Sequence, residues 1–222
     1  MDLRATFPHR SFISLARRQD RRAWLTARMA AAGVDAEWFH AVEAQTLRYP
    51  CGFKDTGRRA NSLSFRFLIR QAERQHFPAL LVLEDDAVLH PEFRERVTAL
   101  ALPDDWQIFY FGCQHLETPK PVSPGLVRVT RAHDTHAVAF RASAYREVRK
   151  IMRGRGHGRG PAEQHNDVLL STLHKKLPTY AAFPNLIWQA VGSSDLTGHT
   201  YSNYDKEGRQ IHGAAVVHHL YK

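Results

Sequence analysis

Cysteine is scarce in this sequence: Cys51 and Cys113 are the two it has, widely separated. Two unclustered cysteines point to neither a disulfide framework nor a zinc site, and leave a single Cys51–Cys113 pair open. No apolar run approaches the roughly 20 residues of a membrane span. Met1–Arg10 carries charge and a proline but no apolar stretch, so no secretory signal is expected. No G-x-G-x-x-G or Walker sequence occurs, which argues against dinucleotide binding and P-loop chemistry. Acid is in short supply: 22 Asp+Glu stand against 31 Lys+Arg, for a net +9. Such a surface attracts polyanions, whether nucleic acid, an anionic membrane face or a phosphorylated substrate, and charge alone does not choose among them. The 14 histidines are scattered, with one adjacent pair at His218-His219. Apolar residues are ample. At 43% of 222 residues, they suit one domain over 1–222 whose core needs no staples.

Short apolar runs alternate with amphipathic stretches, the pattern of an α/β protein. A strand is expected at Ser11–Leu15, then a helix over Asp20–Ala32 with Trp24, Leu25 and Met29 on one side and Gly33 as its stop. Glu37–Val42 reads as a short strand and Leu47–Gly57 as a loop. The next helix is expected to start at Asn61 or Ser62 and to turn Leu63, Phe67, Leu68 and Ala72 inward. Ala79–Leu83 is a continuous apolar run too short for a helix, which fits a strand buried on both faces. Further strands are expected at Trp106–Phe111, Val127–Thr130 and His136–Phe140, with a loop over Thr118–Gly125, which holds three prolines. Ser143 is placed as the cap of a helix reaching Met152, and a last helix runs over Ala162–Lys176.

The most informative segment is Leu80–Leu89, LLVLEDDAVL. A buried strand runs straight into Glu84, Asp85 and Asp86, and unpaired carboxylates beside a core are costly. In open α/β sheets, ligands bind at the carboxyl ends of strands. Continued alternation would point Glu84 and Asp86 one way and Asp85 the other. Two hard oxygen donors on one side suit Mg²⁺ or Mn²⁺ holding a diphosphate. The plainer alternative is a solvated acidic loop capping a helix at Pro91. A second segment, Phe12–Arg22, places Arg17, Arg18, Arg21 and Arg22 at a helix start, where cations and free N–H groups can meet an anion. Its alternative is a solvated basic helix face.

These segments together resemble glycosyltransferase family 25, which includes lipooligosaccharide and procollagen galactosyltransferases. Phe12–Arg22 is similar to that family's opening strand and turn. Ala41-Val42-Glu43-Ala44 is similar to its next step, and the likeness continues through Gly57–Ser64 and the acidic Val82–Ala87. Thr135–Ser143, Pro184, Gln189 and Ser194-Asp195-Leu196 carry it onward, so the likeness spans Phe12 to Leu196. One position departs: the family's Ser-His pair reads Ser64-Phe65 here.

The resemblance implies a GT-A-like nucleotide-diphosphosugar transferase fold, a mostly parallel sheet flanked by helices. It implies inverting transfer of a sugar, galactose from UDP-galactose being the leading donor, onto a cell-surface glycan. Ser14, Leu15, Arg17, Arg21, Arg22, Ser64 and Asp85 would then meet the nucleotide sugar. Asp86 and Glu84 would hold Mn²⁺ or Mg²⁺, with His199 as a further ligand. Asp167 is the candidate base for the acceptor hydroxyl, and Asp195 is placed in the site by the closing match. Asp167 has a simpler reading as an acid favoured at a helix N-terminus, and His199 as an exposed loop histidine. The Gly/Arg segment Met152–Pro161 reads either as a loop closing over an anionic acceptor or as a connector. The expected partners are a nucleotide sugar and a glycan acceptor, in the cytoplasm, with association to an anionic inner membrane face open. Two other functions stay in view: an inactive relative binding anionic glycan or nucleic acid, and a metal-dependent phosphoryl or nucleotidyl transferase.

Overall fold

A computed structural model describes residues 1–48, 53–152, 165–190, 192–193, 200–201, 204–205 and 207–209. The chain opens with α1 (Leu3–Thr6), β1 (His9–Ser14), α2 (Gln19–Ala31) and β2 (Glu37–His40). After a 3₁₀ turn at Ala44–Thr46 come α3 (Phe53–Arg74), β3 (Ala79–Glu84), β4 (Ala87–Leu89), α4 (Phe93–Ala99) and β5 (Ile108–Tyr110). The middle of the chain holds β6 (Gln114–His115), β7 (Lys120–Ser123), β8 (Leu126–Arg128), β9 (Ala132–His133) and β10 (Ala137–Arg141). Then follow α5 (Ala142–Ile151), α6 (Asn166–Ser171), β11 (Thr179–Ala182), β12 (Ile187–Gln189), β13 (Gly192–Ser193) and β14 (Thr200–Tyr201).

Eight of these strands form one sheet in the order β2-β1-β3-β10-β5-β11-β8-β7. The sheet is mixed. β1 pairs in parallel with β2 and β3, and β5 with β11, whereas β10 runs antiparallel to β3 and β5. β8 runs antiparallel to β11 and β7, so six strands point one way and β10 and β8 the other. This is an α/β fold with a predominantly co-directional sheet between helical layers.

The apolar run of β3 explains the layering. Leu81 and Leu83 face a core shared with α2 and α4, while Leu80 and Val82 face one shared with α3 and α5. All four have at most 1% exposure, and side chains that alternate between two dry faces read as unbroken hydrophobicity. Burying each leucine contributes roughly 1.5–3 kcal/mol before entropy. β10 repeats the pattern, with Ala137 and Ala139 to one side and Val138 and Phe140 to the other. Gly112, just past β5, lies so close to the Ile187 carbonyl that a Cβ there would collide with it.

Several expectations change. α3 begins at Phe53, well before Asn61, and runs through Gly57. The buried Thr56 and Ala60 supply packing that outweighs the roughly 1 kcal/mol cost of a helical glycine. Its inward stripe is Phe65, Leu68, Ile69 and Ala72, the i, i+3, i+4, i+7 pattern counted from Phe65. Phe67 therefore points outward and is 44% exposed. Within Thr118–Gly125 the chain forms β7, an edge strand with an irregular register between Pro121 and Ser123, and an edge is where a sheet tolerates proline. Ser143 lies inside α5, whose N-cap position is Arg141 without a side-chain cap. Here β10 runs directly into the helix, and the Ala142 N–H donates to the Pro78 carbonyl at 2.9 Å. The last helix is shorter than expected: α6 ends at Ser171, and residues 162–164 lie outside the described ones.

Candidate active site

Parallel β1 and β3 end side by side, with Ile13 opposite Glu84. Beyond their carboxyl ends opens a cavity of about 520 Å³, within the roughly 300–1,000 Å³ of small-molecule sites. The turn from β1 to α2 contributes Ser14, Leu15, Arg17 and Arg21, and the acidic triplet forms the floor. Asp134, Thr135 and His136, entering β10, stand on one side; His165, Asn166 and Asp167 of α6 and its approach stand on another. Gln189 closes the end of β12, and Glu43 and Ser64 complete the wall near α3.

All three acids of the triplet line this cavity, which corrects the expectation that Asp85 points away. Alternation holds along extended backbone, but the chain turns at Asp85 and Asp86 between β3 and β4. Each carboxylate has its own anchor. The Thr135 hydroxyl donates to Glu84 Oε1 at 2.6 Å. Asp85 accepts from the Ser14 hydroxyl at 2.7 Å and from Arg21 Nη1 at 3.0 Å. Asp86 accepts from Gln189 Nε2 at 3.0 Å and lies 3.7 Å from Arg21.

Burial, and then the charge of Asp86, push the Glu84 pKa up to about 8. Burial also raises that of Asp85, opposed by the bonds from Ser14 and Arg21. Six carboxyl groups (Glu43, Glu84, Asp85, Asp86, Asp134, Asp167) line the cavity against two arginines, Arg17 and Arg21. A phosphorylated ligand would meet repulsion there unless a cation came with it. The donor set suits one. Glu84 and Asp86 offer hard oxygens, and Asp86 Oδ1 is buried with no hydrogen-bond partner, the condition a small divalent ion relieves. Among the described residues, no three His, Cys, Asp or Glu side chains converge into a metal-binding group. His199, the third ligand expected, lies outside the described residues, as do Asp195 and residues 153–161 of the Gly/Arg segment.

Asp167 sits at the start of α6 and lines the cavity. Its Oδ2 accepts from the Asp134 N–H at 3.3 Å and lies 4.0 Å from His133 Nδ1. Asp134 achieves this with φ at 73°, a left-handed conformation costing a non-glycine residue on the order of 1–2 kcal/mol. The Tyr204 hydroxyl donates to its carboxylate and helps to hold it there. Neighbouring His165 has its pKa lowered by burial.

The basic segment divides. Arg17 lines the cavity and pairs with Glu43 at 2.6 Å, and Arg21 reaches the floor. Arg22 does not line the cavity: it donates to the Leu15 carbonyl at 2.6 Å and stacks over Trp38 at 4.0 Å, so its work is to fix the β1–α2 turn. The Ser64 hydroxyl accepts from the Val42 N–H and donates to the Ala60 carbonyl, each at 2.8 Å, tying the wall to α3. Phe65, where the resembled family has histidine, is fully buried in the core and is not among the lining residues. Glu43, Asp134, Thr135, His136, His165, Asn166 and Gln189 were not singled out as site residues from sequence. Glu43, Thr135, His136 and Gln189 fall within the matched segments, which was the available signal; Asp134, next to one, offered none. Cys113 is a buried free thiol, and Cys51 lies outside the described residues.

No protein-family model matches this chain, and no curated protein matches it in sequence. Solved structures do resemble it. A glycosyltransferase involved in the glycosylation of the major capsid of PBCV-1 is 12% identical, with 84% of this chain and 95% of that one covered at a TM-score of 0.49. A UDP-glucose pyrophosphorylase complexed with UDP-glucose is 9% identical, over 78% and 89% of the two chains, at 0.46. A nucleoside-diphosphate-sugar pyrophosphorylase from Vibrio cholerae is 14% identical, over 85% and 79%, at 0.42. Likenesses this distant say nothing of the reaction.

Proposed function

We propose that this chain is a single GT-A-type glycosyltransferase domain, of the kind represented by family 25, transferring a sugar from a nucleotide diphosphate to a hydroxyl acceptor with inversion. UDP-galactose as donor and a cell-surface glycan as acceptor, met on the cytoplasmic side, are the substrates the resemblance favours. The observation that carries the reading is the cavity itself, with Glu84, Asp85 and Asp86 on its floor and Asp167 in its wall.

In this reading Glu84 and Asp86 hold a Mn²⁺ or Mg²⁺ ion, which when bound offsets the negative charge that collects on the leaving diphosphate. Thr135 and Gln189 keep the two carboxylates in place. Arg21 holds Asp85, and with Arg17 brings positive charge to the end of the cavity where phosphates would lie. Asp85, braced by Ser14, faces the ribose or the sugar. Asp167 takes the proton of the acceptor hydroxyl as its oxygen bonds to the anomeric carbon from the side opposite the breaking bond to phosphate. The products are the glycosylated acceptor and the nucleoside diphosphate, and the proton leaves Asp167 for solvent. Asp195 and His199 remain candidates for the same site.

Calorimetry of UDP with and without manganese tests this. Wild-type protein should bind UDP in the presence of manganese, and Asp86→Ala should keep its fold and lose that binding. A panel of UDP-, GDP- and CMP-sugars, scored by manganese-dependent rise in melting temperature, then names the donor. Absence of any such rise across the panel would sink the proposal.

A further inference from the structure

We propose that the outer face of α3 and α5 is a docking surface for an anionic lipid bilayer. These two helices cover the same side of the sheet, sharing one core and joined by the Glu73–Arg149 ion pair at 2.9 Å. Over residues 56–74 and Ala142–Ile151 there are eight Arg or Lys and two Glu, which leaves +6 of the chain's +9 on these two helical segments. On the other side of the sheet several cations are matched locally, Arg10 with Asp35, Arg18 with Asp20 and Arg96 with Glu92, and Arg28 and Arg94 are exposed without an ion pair among the described residues. Arg70 and Arg74 are exposed and have no acidic partner among the described residues. They continue a row from Arg66 at intervals of four, which is one stripe of a helix. Arg146 and Lys150 are exposed on α5.

Beside that row stands Phe67, 44% exposed, in a depression of about 380 Å³ walled by Arg70, Gln71, Arg74 and Gln75. Among the described residues it is the one large hydrophobic side chain these helices expose. Clustered cations draw a protein to acidic headgroups, and an aromatic ring reaching past them adds the second signal that stable attachment needs. Single-stranded nucleic acid is the other polyanion such charge would attract. It is held on a succession of aromatic platforms, and this face has one ring. The charge and the lone ring together favour the bilayer.

Co-sedimentation with vesicles of phosphatidylcholine, alone or mixed with phosphatidylserine, tests the assignment in the intact protein. Wild type should partition to the mixed vesicles only, and added salt should release it. Arg70→Gln with Arg74→Gln should weaken partition by about fivefold per arginine. Phe67→Ser should weaken it while leaving the salt dependence unchanged. All three positions lie on the surface away from the cavity, so melting temperature and manganese-dependent UDP binding should match wild type. Equal partition to neutral and acidic vesicles, or double-variant partition equal to wild type, would overturn the proposal. So would binding of poly-uridine that the same substitutions abolish in a protein that ignores both vesicles.

Discussion

Ser14 and Asp85, 71 residues apart in sequence, share a buried hydrogen bond of 2.7 Å that joins the carboxyl ends of β1 and β3. The hydroxyl offsets part of the burial that raises the Asp85 pKa. Ser14→Ala should therefore cost about 2 kcal/mol of stability, the range for hydrogen bonds to charged groups. Urea denaturation at neutral pH measures it, and a change within a few tenths would show the bond to be dispensable.

Asp167→Asn should separate binding from turnover. The amide keeps the shape and the acceptor oxygen that meets the Asp134 N–H, but it cannot take a proton. Manganese-dependent UDP affinity should stay near wild type while kcat falls about 10²–10⁴-fold, the scale of general-base catalysis. Unchanged kcat would remove Asp167 from the mechanism.

Phe65→His should damage the core and leave the site alone. Phe65 has no exposure, so a smaller, polar ring there loses packing and strands a nitrogen in a dry layer. A loss of about 3 kcal/mol is expected, read by thermal or chemical denaturation, with nucleotide affinity of the folded fraction unaltered. Tighter nucleotide binding by the variant would place this position in the site after all.

Acid should weaken the fold through two histidines. Burial lowers the pKa of His115 to about 4 and that of His174 to about 3, from 6.5. As pH falls below 6.5 the unfolded chain takes up these protons and the folded chain does not, so stability drops until pH nears 4 and 3 respectively. Between pH 7 and pH 5 each should cost about 2 kcal/mol. Denaturation midpoints at the two pH values, compared with those of His115→Leu, should show about half of this pH sensitivity gone in the variant.

The sequence was legible where local pattern and tertiary role agree. β3 could be read because both its faces are dry, and the acids after it because carboxylates seldom follow such a strand without a use. Gly33 as the stop of α2 was readable too, and its φ of 69° is the reason. The phase of α3 was not, because Leu63 and Phe67 make as plausible a stripe as Phe65 and Ile69 until the sheet chooses between them. Arg21 and Arg22 are adjacent and chemically alike, yet a 100° helical step sends one to the acids and the other to Trp38. Gln189 and Thr135 reach the floor through pairings of β12 with β4 and β10 with β3, contacts that no short window of sequence contains.

Those pairings also set when the site can exist. Ser14, Glu84, Thr135 and Gln189 arrive from four distant stretches, so a growing chain on the ribosome has no fully anchored floor until residue 189 has emerged. Nucleotide capture should thus report completed folding rather than guide it, and a fragment ending before β12 should collect none.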